Sequence, residues 1–596
     1  MRNSEIKQCQ NCKSQFTIEP EDFNFYEKIQ VPPPTWCPEC RLIRRLVWRN
    51  ERALYRRKCD LCGEMKILMY APDSPYKVYC RQCWWSDKWS ALDYGREYDF
   101  SKSFFEQFAA LLKDVPRPGI IKQGNHVESE YTNRVTDMRY CYLLYGTTVA
   151  EYCRYGVWMN ASKECMDGYN VQKSERCYEC IDCFQCYNMA FVQEANNCTD
   201  SWFLWNCNNC QNCFGCVNLR NKQYHIFNKP YTKEEYHKII GGYNLGSAMF
   251  VEGMKLKFAE FKKNFIVPAL VTHHSTNISG NWIENSKNIF KSFTITKVEE
   301  GRYLYAVIDA KDVMDYSFWG ATAELTYESI NSGIQVSDLQ FGNECWIQAI
   351  AMRYSMNCHN AHDLFGCIGI RSSEYCILNK QYSKEEYEKK IKEIRKQMEK
   401  MPYTDKKGRK YTYGEFYPFE ISPFAYNETL AQEYFPIHKG SAEEMGYPWK
   451  EPDIKNYQIT LDAMAIPDNV KDASDTIVNE VIGCEHAGKC NQQCTTAFRI
   501  LPEELKTYKT ANLPLPRLCP NCRHFERLKK RTPIKLWPRK CECAGSASEN
   551  GAYTNVANLH APHKPNEHCP NEFQTSYSPE RKEIVYCEQC YQAEVA

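Results

Sequence analysis

Cysteine pairs recur at both ends of this 596-residue chain in one fixed register, and that register limits what the ends can fold into. Cys12, Phe16, Ile18, Tyr26, Pro32, Cys37, Pro38, Cys40 and Arg41 reappear 482 residues later as Cys494, Phe498, Ile500, Tyr508, Pro514, Cys519, Pro520, Cys522 and Arg523. The same offset carries Arg57, Lys58 and Cys59 onto Arg539, Lys540 and Cys541, and Gly63 onto Gly545. After an insertion of 25 residues, Val78-Tyr79-Cys80-Arg81-Gln82-Cys83 returns as Val585-Tyr586-Cys587-Glu588-Gln589-Cys590. Each end is therefore a copy of one two-part module.

Two residues between paired cysteines let both sulfurs turn toward one ion, and four thiolates are what a closed, tetrahedral structural zinc takes. Cys9, Cys12, Cys37 and Cys40 form the first such set. Cys59, Cys62, Cys80 and Cys83 form the second, with 17 residues between the pairs, an interval typical of zinc ribbons. At the C-terminal end the third set is Cys490, Cys494, Cys519 and Cys522, with Cys484 and His486 nearby as further donors. The fourth is Cys541, Cys543, Cys587 and Cys590, with His568 and Cys569 as further donors. About four Zn2+ ions are expected. Four thiolates leave no open coordination position, so a structural metal and a non-enzymatic protein are expected, with no catalytic residues.

Phe16-Thr17-Ile18 alternates like a short strand, and Cys40 to Arg49 has helical periodicity, so the second cysteine pair opens a helix. Knuckle, hairpin and helix start together resemble a treble clef. The wording C-x-x-C-x-x-x-F, then F-Y, then P-x-x-C-P-x-C-R resembles the family of probable zinc-ribbon domains, over about 45 residues at each end. That resemblance implies zinc binding and no particular reaction.

A second duplication lies in the middle. Asn206-Cys207 through Phe214-Gly215-Cys216 matches Asn357-Cys358 through Phe365-Gly366-Cys367. Both copies run on to a capping box, Thr232 with Glu235 and Ser383 with Glu386, that opens a helix. Cys177, Cys180, Cys183 and Cys186, like Cys207, Cys210, Cys213 and Cys216, are spaced as iron–sulfur ligands can be. In the second copy, however, Ala361 and Leu364 stand where Cys210 and Cys213 would be, which a packed interior tolerates and a ligand set does not. Asparagines before the cysteines fit stacked coils with small residues inside and polar ladders at the turns.

The expected fold is mixed and mainly β: two short cysteine-rich parallel β-solenoid blocks flanked by treble-clef/zinc-ribbon modules at both termini. The expected divisions are 1–95 and 484–596 for the tandem zinc modules, 126–245 and 246–400 for the solenoid blocks, 96–125 for an amphipathic helix and linker, and 401–483 for an irregular Pro- and aromatic-rich segment.

Net charge is only +1, so any attraction for nucleic acid must be local. From Arg41 to Lys58 eight basic residues, including Arg41, Arg44, Arg45, Arg49, Arg56 and Arg57, stand against Glu51 alone. From Arg517 to Lys540 there are nine, including Arg523, Arg527, Lys529, Lys530 and Arg531, against Glu526. With Trp48, Tyr55 and Trp537 interleaved, these helices are expected to contact nucleic acid, RNA or a ribonucleoprotein in preference. The alternative is a solenoid scaffold for a protein partner, with the basic runs serving as helix faces or ion-pair partners of a neighbouring domain. A polysaccharide-cleaving solenoid would need paired carboxylates at a groove, and the spacing singles out no such pair. Lacking an early apolar run or any stretch of about 18 apolar residues, the chain is expected to be cytoplasmic with reduced thiols and no membrane partner.

Overall fold

A computed structural model describes residues 2–170, 190–451, 457–543 and 569–595. Its organising element is a turn repeated every three residues. From Arg134 through Asp137, Tyr140 and Leu143 to Asn170, every third residue has a left-handed backbone, and four such corners close a coil of 12 residues. Successive coils stack in parallel register, Tyr142 on Arg154 and Leu144 on Gly156. The second block uses the same turn, and some of its coils are one residue longer, with Ala323 on Val336 and Ile330 on Asn343. The additional residue sits where two left-handed residues adjoin, at Ala321–Thr322, Ile334–Gln335 and Ile347–Gln348.

This turn explains the asparagine–cysteine alternation. Asparagine tolerates the left-handed region better than most residues, and Asn206, Asn209 and Asn212 are corners. Their amides form ladders between coils, Asn206 to Asn218 at 2.7 Å and Asn209 to Asn221 at 2.6 Å. Each following cysteine points inward. Cys207, Cys210, Cys213 and Cys216 are at most 1% exposed, as are Cys358 and Cys367, and Ala361 and Leu364 of the second block are buried with them. The thiols donate to carbonyls of their own and the next coil, Cys207 to Trp205 and Cys216 at 3.5 Å. These central cysteines are core residues, and none of them among the described residues stands in a group of three or more metal donors. Cys177, Cys180, Cys183 and Cys186 lie outside the described residues.

Each block ends the same way. Gln223–Ile226 and Glu374–Ile377 pair with short antiparallel returns, and capped helices Lys233–Gly241 and Lys384–Lys400 follow, covering the last strand edges. The amphipathic helix Phe104–Asp114 lays Phe104 on Phe365 and Phe105 and Phe108 on Tyr417. Tyr417 belongs to the irregular segment after Met401, which is wrapped along the second block. Among the described residues no helix is long and apolar enough to cross a membrane.

His359 illustrates the density of this packing. Its ring lies 4.4 Å from Trp346 and 5.1 Å from Trp85, and burial pushes its pKa down to about 3. An unfolded chain protonates the same ring near 6.5. Between those values the unfolded state binds the additional proton, so His359 contributes stability above pH 6.5 that is lost as pH falls. One pH unit below the unfolded value, about 1.4 kcal/mol is lost. Urea unfolding at pH 7.5 and 5.5 is expected to show His359→Phe losing less stability on acidification than the parent, by about that amount.

Candidate metal centres

Four times, a short antiparallel hairpin carries a cysteine knuckle at its turn and a second cysteine pair closes on it from a helix start. The hairpins are Glu5–Gln8 with Gln15–Ile18, Tyr55–Lys58 with Met65–Leu68, Ile482–Gly483 with Ala497–Phe498, and Trp537–Lys540 with Glu572–Thr575. The helices are Pro38–Leu46, Arg81–Trp84, Pro520–Leu528 and Glu588–Val595. In every copy the first cysteine of the helix pair donates its backbone N–H to the first sulfur of the knuckle. Cys37 donates to Cys9 at 3.3 Å, and Cys80 to Cys59, Cys519 to Cys484 and Cys587 to Cys541 at 3.2 Å.

Four sulfur groups result: Cys9, Cys12, Cys37 and Cys40; Cys59, Cys62, Cys80 and Cys83; Cys484, Cys494, Cys519 and Cys522; and Cys541, Cys569, Cys587 and Cys590. Zinc–sulfur bonds of about 2.3 Å at tetrahedral angles put two ligating sulfurs about 3.8 Å apart. The separations are 3.7 Å for Cys12–Cys37 and 3.9 Å for both Cys484–Cys522 and Cys569–Cys587, far too long for a disulfide and right for a shared ion. Zinc binds the thiolate, and neighbours hold several of these sulfurs in that form. The Cys541 thiol, first among its contacts, brings Cys587 down to about 4, and the Cys484 thiol does the same for Cys494, to about 6. Against the burial that raises it, the backbone N–H groups of Cys62 and Cys80 bring Cys59 to about 7. The chain thus carries four tetracysteine groups suited to about four zinc ions.

The two N-terminal groups are the sets expected from spacing, and the two C-terminal ones differ by one ligand each. Cys484 occupies the place expected for Cys490. The hairpin pairs Ile482 with Phe498 as the first pairs Lys7 with Phe16, so Cys484 is the structural counterpart of Cys9 and the knuckle has grown to nine intervening residues. Cys569 takes the place expected for Cys543, which is buried beside the group. The signal for Cys569 was in the sequence: the register that carries Val78 onto Val585 also carries Cys62 onto Cys569, which puts the insertion inside the knuckle. His568 and Gly545 lie outside the described residues.

The basic helices do not face solvent, and most residues expected to grip nucleic acid serve the interior instead. Arg41 and Arg45, one helical turn apart, close on Asp315 of the second block at 2.7 and 3.3 Å, and Arg44 joins Glu328 and Glu415 at 2.9 and 2.6 Å. All six groups are at most 3% exposed. Burial lowers the Arg44 pKa, yet Glu328 and Glu415 carry it above its ordinary value. The C-terminal copy repeats the device on the first block, where Arg523 and Arg527 close on Asp167 at 3.0 and 2.6 Å. Matching tyrosines complete both interfaces. Arg41 lies over Tyr303, whose hydroxyl donates to Asp22, and Arg523 lies over Tyr155, whose hydroxyl donates to Glu504.

Arg49 is buried against Glu51 and Asn331, and Arg531 bonds Tyr169 at 2.6 Å and covers Tyr434. Arg57 braces the second knuckle through Asp60, as Arg539 braces the fourth through Glu542. Trp48 is buried against Tyr417. Of the expected contact residues Arg56, Lys529 and Lys530 are exposed, and Lys529 pairs with Glu526 at 2.6 Å. An arginine on an amphipathic helix can be the buried face when carboxylates wait opposite. The two modules also touch, Arg52 to Asn521 at 2.8 Å and Lys535 to Glu39 at 3.7 Å.

No protein-family model matches this chain, and no curated protein does. Among solved structures, a putative acetyltransferase from Desulfovibrio desulfuricans G20 aligns over 48% of this chain and 86% of its own at 8% identity, with a TM-score of 0.10, too low to carry an argument. The likeness to zinc-ribbon modules therefore stands on the cysteine groups.

Two outcomes test these assignments. Cys569→Ser is expected to lower the zinc content of the purified chain by about one ion, and Cys543→Ser to leave it unchanged, measured by elemental analysis. Asp315→Ala and Asp167→Ala each remove the carboxylate that two buried guanidinium groups share and are expected to cost about 3 to 5 kcal/mol in denaturant unfolding.

Proposed function

We propose that this protein is a non-enzymatic interaction scaffold, in which structural zinc fixes two clamps on a β-solenoid whose exposed coil faces bind a protein partner. The observation that carries this reading is the destination of the arginines. Arg41, Arg44 and Arg45, with Arg523 and Arg527, are committed to solenoid and wrapping-segment carboxylates, so these helix arginines hold the solenoid and are not presented to phosphates.

The exposed side of the first block supplies a surface of the right kind. Tyr140 and Tyr152 are corner residues of adjacent coils, stacked 4.9 Å apart with their planes within 6°, and both are more than a third exposed. Val149 at 56% and Tyr131 at 41% exposure add apolar area to the same block. Rigid, solvent-facing aromatic rows favour association because they lose little conformational entropy when covered.

The full chain and a Tyr140→Asp/Tyr152→Asp variant, captured from their own cells after ultraviolet crosslinking, separate the two readings. A scaffold retains a defined protein through ribonuclease treatment and loses it in the variant. Recovery of crosslinked RNA through Arg56 and Lys529–Lys530, with a steep salt dependence of binding, would overturn it.

A further inference from the structure

The third metal group has more donors than one zinc can use. Beside Cys484, Cys494, Cys519 and Cys522, one ring nitrogen of His486 and the sulfurs of Cys490 and Cys522 lie within 4.8 Å of one another. The Cys490–Cys522 separation is 3.7 Å, the spacing that two sulfurs on one zinc require. His486 Nδ1 is shielded from solvent and has no hydrogen-bond partner, a costly state for an imidazole nitrogen that a metal would relieve.

The N-terminal module provides an internal comparison. There the sulfur equivalent to Cys522, that of Cys40, receives an N–H from the Asn11 amide at 3.3 Å. At the position of Asn11 the C-terminal copy has Gln493, whose amide is turned away to the Asn427 carbonyl. The lengthened knuckle fills the vacated side. Hydrogen bonds from Ala487 to Cys484 and from Lys489 to His486, each 2.8 Å, fold it into consecutive tight turns, with Ala487 and Gly488 left-handed, and this brings His486 and Cys490 to Cys522.

From this geometry we infer that the third module binds two zinc ions that share the Cys522 thiolate. One is enclosed by Cys484, Cys494, Cys519 and Cys522. The other is held by His486, Cys490 and Cys522, and its fourth position is open to water or an incoming ligand. Binding the second ion deprotonates Cys490 and releases that proton to solvent. A thiolate bridging two divalent ions also spreads the negative charge that four sulfurs concentrate on a single zinc. With three protein donors, two of them on a half-exposed loop, the second ion exchanges faster than the four enclosed by cysteine alone.

Native mass spectrometry of the zinc-saturated full chain tests the count. The expected result is about five ions, falling by one in His486→Ala and in Cys490→Ser, with circular dichroism unchanged because the four-thiolate group that orders the module is intact. In the chain loaded with cadmium-113, the bridged pair is expected to show metal–metal scalar coupling that both variants abolish. Saturation at about four ions in the parent overturns the inference, whether Cys490→Ser leaves that count intact or lowers it to about three, the latter making Cys490 a ligand of a single ion. A count of about five that neither variant changes overturns it as well. None of these results depends on what the scaffold binds.

Discussion

Two arginines one helical turn apart close on a single buried aspartate, and the molecule uses this contact twice. Arg41 and Arg45 hold Asp315, and Arg523 and Arg527 hold Asp167. Removing charges from water is expensive, and a buried pair returns that cost only when geometry and hydrogen bonding are nearly complete. Zinc makes the geometry dependable. Each helix begins at a cysteine pair, at Cys37 or Cys519, so the metal group fixes where the helix starts and how it is rotated. Rotation decides which residues face the solenoid. The tetrahedral thiolate group and the arginine–aspartate contact are thus two ends of one lever.

The lever also joins the halves. The N-terminal module sets its arginines on the second block, and the C-terminal module sets its own on the first. The second site of each module pairs a short strand with the entrance of a block, Val78–Tyr79 with Arg117–Pro118 and Ile584–Tyr586 with Ile266–Pro268. Each block is therefore held at its entrance by one module and along its flank by the other. A crossed arrangement of this kind resists separation of the halves, because neither block can leave without breaking contacts to both modules.

Inside the blocks, cysteine is a building material. A coil with a corner every third residue has room inside for small, slightly polarisable side chains, and a thiol can donate weakly to the carbonyls of its own and the next coil. Alanine and leucine at 361 and 364 meet the same steric requirement. One residue type thus has two roles in one chain, set by what surrounds it. At the ends four sulfurs converge within reach of one ion, whereas inside the coils the thiols donate to backbone carbonyls, as at Cys358 and Cys367.

The sequence by itself determined the duplicated modules, the two N-terminal sets of thiolate donors, the coil with inward cysteines and asparagine corners, and the capped helices that end the blocks. These follow from spacing and local preference, which act over a few residues. Tertiary structure alone decided that Cys484 serves in place of Cys490, because a knuckle with nine intervening residues closes through space and leaves no short spacing to read. It alone decided the fate of the basic helices as well. A run of arginines reads as surface until its carboxylates are located, and Asp315, Glu328 and Glu415 stand hundreds of residues away from Arg41 and Arg44 in the chain. Whether a charge meets water or a partner is a property of the packed molecule, since only packing sets the distance between them.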